Sequence, residues 1–240
     1  MNFKVTKKIT EKIKDIQFKP KIAEFFKWKI IDLYRLIKHG KQFREFGLTL
    51  YCGRQGSGKT IGIVHYLEEM RSLYPKAIII TNFSYSKQDY AMQNWRDLLK
   101  YRNGEKGVIF AIDEIQNEFN NQKWKDFPDH ILSEITQQRK QRVKIVASSQ
   151  VFTRVVKQLR EQCFEVVECK TLFGRWTRLK AFLADEYEAT VDDPEKKQKL
   201  YTAWKKSFVQ TDRLRSLYDT YEKVEKMKDE QFIDRDKRVV

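Results

Sequence analysis

The sequence predicts an α/β fold, a mainly parallel central sheet flanked by helices, with a basic helical arm before it and a helical tail after it. Three observations carry that expectation. Short β-branched or apolar runs alternate with longer stretches of helical periodicity, the pattern that right-handed crossovers between parallel strands require. One glycine-rich turn sits between such a run and a helical stretch, where a strand hands over to a helix. The 240 residues suffice for one α/β core with short appendages.

Taken in order, residues 1–46 read as the arm: no glycine precedes Gly40, and Ile22, Phe25, Phe26, Ile30, Leu33, Leu36 and Ile37 recur at helical spacing among lysines. The core is expected over 47–192. It opens with the buried-strand run Leu48-Thr-Leu-Tyr-Cys52, followed by the turn and a helix over 61–74. Further strands are expected at 77–81, 108–112, 143–148 and 164–169, with helices over 90–101 and 127–141 between them. Residues 179–187 are read as one more strand. From Pro194 onward the dense charges, with Leu200, Trp204, Phe208, Leu214, Leu217 and Tyr221 as packing positions, predict a helical extension over 193–240.

Composition narrows the function classes. With 41% hydrophobic and 34% charged residues, and no apolar run near the roughly 18 residues a spanning helix needs, an integral membrane protein is not expected. No secretory leader is evident at the N-terminus, so the cytoplasm is the expected compartment. Cys52, Cys163 and Cys169 lack metal-ligand spacing and lie in or beside strand-like runs, which predicts buried, reduced thiols. His39, His65 and His130 show no metal spacing either. The net charge of +15, from 48 Lys and Arg against 33 Asp and Glu, favours a polyanionic partner, nucleic acid or an anionic membrane surface. Its distribution is uneven. Residues 135–160 hold Arg139, Lys140, Arg142, Lys144, Arg154, Lys157 and Arg160 with no acid, and residues 1–50 hold 13 basic against 5 acidic side chains.

Chemistry concentrates in two motifs. Gly53-Arg54-Gln55-Gly56-Ser57-Gly58-Lys59-Thr60 matches the P-loop (Walker A) pattern, in which backbone N–H groups and a helix N-terminus wrap phosphates. Residues Gly53 to Ile61 are therefore the expected ATP contacts, with Lys59 neutralising β and γ phosphate oxygens and the Thr60 hydroxyl ligating Mg2+. The apolar run from Gly107 ends in Asp113-Glu114, the form of a Walker B strand. Asp113 is expected to hold Mg2+ through its water shell and Glu114 to act as general base toward the attacking water. Gln150, closing the run 143–149, reads either as a sensor of the γ-phosphate or as a plain strand-capping glutamine. Arg139 and Arg142 read either as fingers into a neighbouring subunit's ATP or as DNA or surface contacts. Lys144, Arg154, Lys157 and Arg160 are candidates to grip a DNA backbone without regard to sequence, with Phe152 a wedge or a core residue.

These residues resemble the zonular occludens toxin and filamentous-phage assembly ATPases, within the wider HerA/FtsK group of P-loop proteins. The resemblance spans roughly residues 47–222. It rests on Gly53 to Thr60, on Asp113-Glu114 followed by Phe119 and Trp124-Lys-Asp-Phe127-Pro128, on Arg139-Lys140, on Ser148-Ser149-Gln150, and on Phe208-Val-Gln-Thr-Asp212 with Tyr218-Asp219-Thr220. It implies a ring-forming homo-oligomeric ATPase that moves DNA, and it gives the Gln150 and Arg139 roles most of their weight. Phage assembly proteins of this kind continue into a membrane helix, whereas this sequence stops at Val240. The expectation is therefore a motor for packaging viral or mobile-element DNA that docks on a portal, vertex or capsid protein. The alternative is an envelope-associated assembly ATPase whose arm, residues 1–46, lies on anionic lipid.

Overall fold

The computed structural model describes residues 21–39, 42–118, 138–191, 193, 195–196 and 199–219. They divide into two units, one within residues 1–42 and one from Phe43 onward. The first carries helix α1 (Lys21–His39), in which Lys27 and Trp28 both donate to Glu24, at 3.0 and 2.8 Å. These i,i+3 and i,i+4 bonds tie the first turns together. Phe25, Phe26, Ile30, Leu33 and Ile37 of this helix are exposed.

The second unit contains strands β1 (Gly47–Cys52), β2 (Ile78–Thr81), β3 (Ser84–Tyr85), β4 (Tyr90–Ala91), β5 (Val108–Ile112), β6 (Val143–Ser149), β7 (Cys163–Leu172), β8 (Trp176–Leu183), β9 (Trp204–Val209) and β10 (Tyr218–Asp219). Eight of them form one sheet in the order β4-β2-β5-β6-β1-β7-β8-β9, and β10 pairs with β3 alone. All contacts from β4 across to β7 are parallel, whereas β7-β8-β9 is an antiparallel wing. Among the described residues of this unit the helices are α2 (Lys59–Leu73), α3 (Asp97–Lys100), α4 (Ile115–Glu118), α5 (Gln138–Gln141), α6 (Lys157–Arg160), α7 (Ala184–Glu188) and α8 (Asp212–Arg215). The chain thus has a P-loop NTPase fold, with a mainly parallel sheet flanked by helices.

Burial explains the unbroken apolar runs. Leu48, Leu50 and Cys52 of β1 join Val108, Phe110 and Ile112 of β5 in a core on one face, while Tyr51, Ile109 and Ala111 face a second core with Ile61, Ile63, Val64 and Leu67 of α2. A strand covered on both faces needs apolar residues at every position, and each fully buried Ile or Leu contributes roughly 1.5–3 kcal/mol. The three cysteines are buried and free. Burial pushes the thiols of Cys163 and Cys169 up to about 12, which leaves them protonated and inert.

Several expectations need correction. Residues 204–209, read as helix, form the edge strand β9, with Trp204 and Phe208 partly buried against the core and Lys205 and Ser207 exposed. The helix expected over 90–101 is instead the short strand β4 followed by α3. The strand expected at 179–187 ends at Leu183 and turns into α7. Most of the helix expected over 127–141 lies outside the described residues, as do Phe119, Trp124, Phe127, Pro128, His130 and Thr220. Among the described residues, no helix is long and apolar enough to cross a membrane.

Candidate functional site

The site grows from the carboxyl ends of three adjacent strands. β6 stands between β1, which leads into the glycine-rich turn, and β5, which ends at Asp113-Glu114. The turn begins where Gly53 N–H donates to Ser149 O of β6 at 3.3 Å, and it tightens where Ser57 N–H donates to Arg54 O at 3.1 Å. Gly58 then takes φ +91° as N-cap of α2, without a capping side chain. A Cβ there would meet Thr171 Oγ1 at 2.5 Å, so both the conformation and the close packing demand glycine. The first helical bond of α2 runs from Gly62 N–H to Gly58 O at 2.9 Å. The amides of Lys59, Thr60 and Ile61 precede that ladder and carry the positive end of a 15-residue helix.

Two further observations fit this loop to a phosphate chain. Ser57 Oγ is a buried polar atom with no hydrogen-bond partner, a group that costs free energy until an acceptor arrives. Lys59, only 6% exposed, donates to Arg54 O at 3.3 Å and stands 3.8 Å from Glu114 Oε1. The Ile61 side chain belongs to the core, so only its backbone can face a ligand, a narrowing of its expected role.

The two motifs meet directly. Thr60 Oγ1 donates to Asp113 Oδ1 at 3.1 Å, and Ser148 Oγ donates to the same oxygen at 2.5 Å. Thr60 and Asp113 thus offer a hydroxyl and a carboxylate together, the hard oxygen pair that Mg2+ accepts while keeping waters and substrate oxygens for its other positions. Glu114 follows in the left-handed region, φ 53°, with its N–H donating to Ser148 Oγ at 2.8 Å and its carboxylate accepting from Gln116 Nε2. Holding a glutamate in that conformation costs about 1–3 kcal/mol, which the surrounding bonds offset. No group of three or more His, Cys, Asp or Glu side chains that could hold a metal ion occurs among the described residues, so any Mg2+ here would rest on the pair Thr60 and Asp113 alone.

Sequence reading missed the brace behind these acids. Asn82, just after β2, accepts from Asp113 N–H at 2.7 Å and donates to Asp113 O and Glu118 Oε1, both at 3.1 Å. It locks the backbone from which both carboxylates project. A polar residue closing an apolar run was the only available signal. Equally unforeseen is the network behind the loop. Thr171 Oγ1 donates to Ser57 O at 3.0 Å, and the buried Gln210 donates to Thr177 Oγ1 at 2.7 Å and to Thr171 Oγ1 at 3.3 Å. Arg215 in turn donates to Gln210 Oε1 through Nε at 3.1 Å and Nη2 at 2.8 Å.

Gln150 lies half-buried beside the loop, accepting from Arg154 at 3.4 Å, and lines a cleft of about 970 Å³ with Arg54, Gln55, Phe152, Lys170 and Arg178. Other candidates are placed elsewhere. Arg142 donates to Phe43 O at 2.9 Å at the amino end of β6, the opposite end from the loop. Arg139 is on α5, next to it, with its side chain outside the description. Lys144 is buried, donating to Thr49 Oγ1 at 2.8 Å and Phe46 O at 3.2 Å, and desolvation lowers its pKa. It cannot grip DNA. Arg160 is paired with Glu188 at 3.4 Å and Phe152 is 3% exposed in the core. Of the stretch after Gln150, Arg154 and Lys157 alone keep exposed cationic side chains.

Fold and site together define a P-loop NTPase architecture with a carboxylate pair one strand away from the phosphate loop. Residues 68–211, more than half of the chain, match the family model of the zonular occludens toxin (Zot), and the chain belongs to that family. The match contains Asp113, Glu114, Ser148 and Gln150 but begins after Gly53–Thr60, so the phosphate loop stands on its own geometry. Among solved structures, the chain is similar to the N-terminal domain of zonular occludens toxin from Neisseria meningitidis, at 16% identity and TM-score 0.49 over 73% of this chain and 100% of that one. It is also similar to the genome packaging NTPase B204 from Sulfolobus turreted icosahedral virus 2 in complex with ATP-gammaS, at 15% identity and TM-score 0.44 over 58% and 93%. The cytoplasmic domain of the Thermomonospora curvata Type VII secretion ATPase EccC matches at 10% identity and TM-score 0.41, over 57% of this chain and 22% of that one. No curated protein matches the sequence.

Proposed function

We propose that this chain is an ATPase that drives DNA translocation, packaging viral or mobile-element DNA as a homo-oligomeric ring docked on a portal or capsid protein. The observation that carries the reading is the meeting of Thr60 with Asp113 and of Lys59 with Glu114 across one strand, in a chain of the Zot family. The loop amides and Lys59 bind the β and γ phosphates, for which Lys59 exchanges its bond to Arg54 O. Glu114 accepts a proton from water as that oxygen bonds to the γ phosphorus and the bond to the β–γ bridging oxygen breaks, giving ADP and phosphate. Asn82 and Ser148 hold the acid in place. Mg2+ at Thr60 and Asp113 would supply charge neutralisation at the phosphate oxygens. Gln150, beside the loop, positions the attacking water. Arg139 sits at the amino end of β6, away from its own phosphate loop, so as a finger it serves a neighbouring copy's site.

Phosphate release by the purified chain, with and without duplex and single-stranded DNA at low salt, tests the reading. The expected result is turnover stimulated by DNA; turnover indifferent to DNA removes the translocase and leaves an ATPase. A second reading, an envelope-associated assembly ATPase, is favoured by one observation. Helix α1 exposes Phe25, Phe26, Ile30 and Ile37 on a chain segment rich in lysine, as an interfacial helix does. Flotation of the full chain with anionic vesicles decides it, since a chain that stays at the bottom of the gradient does not use this arm on lipid.

A further inference from the structure

The antiparallel wing carries a cationic face, three of whose cations, Lys170, Arg178 and Lys180, line the cleft beside the glycine-rich turn. Strand alternation puts Glu168 and Lys170 of β7, Trp176, Arg178 and Lys180 of β8, and Lys205 of β9 on one face. The register sets Lys170 directly opposite Arg178, and Lys180 directly opposite Lys205. Like charges in that position face each other across roughly 4.5–5.5 Å and destabilise a sheet. All four cations are exposed, and among the described residues none forms an ion pair. The single acid of the face, Glu168, stands directly opposite Lys180 on β8, more than hydrogen-bond distance from it, and accepts the Tyr187 hydroxyl at 2.9 Å. Edge protection accounts for Lys205, because β9 is an edge strand and a lysine there blocks pairing with another chain. It does not account for Lys170 and Arg178, which lie on interior strands.

We infer that this face is a track for the phosphodiester backbone of a nucleic acid, with Lys170, Arg178, Lys180 and Lys205 as the phosphate contacts and Trp176 as a base-stacking platform at its end. The inference rests on the translocase reading and replaces the loop after Gln150 as the main grip. Charge complementarity names the occupant, since a polyanion converts two repulsive pairs into shared counter-charges. Trp176, 48% exposed among cations, supplies the flat apolar surface on which an unpaired base stacks. The track is also wired to the nucleotide loop. Lys170 is followed by Thr171, which points to the opposite side of β7 and holds Ser57 O of the phosphate loop. A shift of that loop on nucleotide exchange therefore moves the strand that bears the grip.

The test compares wild type with the triple variant Lys170→Gln, Arg178→Gln, Lys180→Gln and with a charge-matched control of exposed lysines flanking β2 and β5, strands apart from the wing, Lys76→Gln, Lys100→Gln, Lys106→Gln. Binding of a labelled single strand and its duplex is followed against salt. Each lost phosphate contact lowers the log–log salt slope by about 0.7–0.9, so the triple variant loses about 2–3 from its slope and at least ~10-fold in affinity near 0.1 M salt. The control keeps its slope. With DNA absent, the triple variant melts a few degrees higher, as relief of opposed like charges predicts. Trp176→Ala weakens single-strand binding by about 5-fold or more. Equal DNA binding by triple variant and control overturns the track while the translocase reading survives. Loss of fluorescent ATP-analogue binding by the triple variant assigns the cations to the nucleotide and also overturns it. A wild-type chain that binds neither form of DNA at low salt refutes the translocase reading itself.

Discussion

The parallel half of the sheet and its antiparallel wing handle polar groups in opposite ways. At the carboxyl ends of β1, β5 and β6, Asp113 receives Thr60 and Ser148, Glu114 N–H finds Ser148, and Asn82 braces the corner. Around the two acids donors and acceptors are matched inside the chain, as a site does that keeps carboxylates fixed before a ligand arrives, and of the neighbouring groups Ser57 Oγ and Gln116 Oε1 are left without a partner. On one face of the wing, Lys170 opposes Arg178 and Lys180 opposes Lys205. Matching there has to come from outside. On the proposed reading, the matched cluster is where chemistry is done and the cationic face is where something is held.

Five substitutions probe that contrast. The largest effect belongs to Glu114→Gln, expected to lower phosphate release about 10²–10⁴-fold while fluorescent nucleotide titration shows binding retained. Lys59→Ala should weaken nucleotide affinity itself by about 10-fold or more, from the loss of charge-assisted bonds, so the two variants separate binding from proton transfer. Asn82→Ala leaves the Asp113 N–H without its acceptor at a cost of about 1–3 kcal/mol. Denaturant midpoints measure that loss, and turnover should fall with nucleotide affinity nearly unchanged. Gln210→Leu removes the donor to Thr177 and the shared acceptor of Arg215, which keep only Thr171 and Gly174 O respectively, and should lower the melting temperature by several degrees, again about 1–3 kcal/mol. The smallest effect is a pH trend at Lys144. Burial lowers its folded pKa below the ordinary 10.5, so the unfolded chain holds more protons in the window beneath 10.5. Wild-type stability therefore rises with pH there relative to Lys144→Met, and unfolding curves collected near neutrality and near pH 9.5 should show the gap shift toward wild type.

What the sequence disclosed follows from the range of each signal. The glycine-rich turn, α2 and the strand ending before Asp113 were legible as elements because their marks are local: glycines, a lysine, an apolar run and two acids in adjacent positions. β9 was misread because Trp204 and Phe208 stand four apart, a spacing that puts residues on one face in a helix and in a strand alike. The alternating exposure of 204–209 separates the two only once β8 lies alongside. Asn82 was invisible for a different reason, since its partner lies 31 residues away and only the sheet order brings them together. The charge of Lys144 was read correctly, but its burial was not, because charge counting carries no information about which side of a strand is covered. Arg160 failed likewise, its partner Glu188 coming from α7.

The neighbours Lys170 and Thr171 sit one position apart on β7 and face opposite ways. Inserting or deleting a single residue between Cys163 and Thr171 would exchange their sides, turning the lysine toward Ser57 and the threonine outward. Homologues can therefore retune this strand by replacement, whereas a change in its length would cut the tie to the nucleotide loop and bury a positive charge in one stroke.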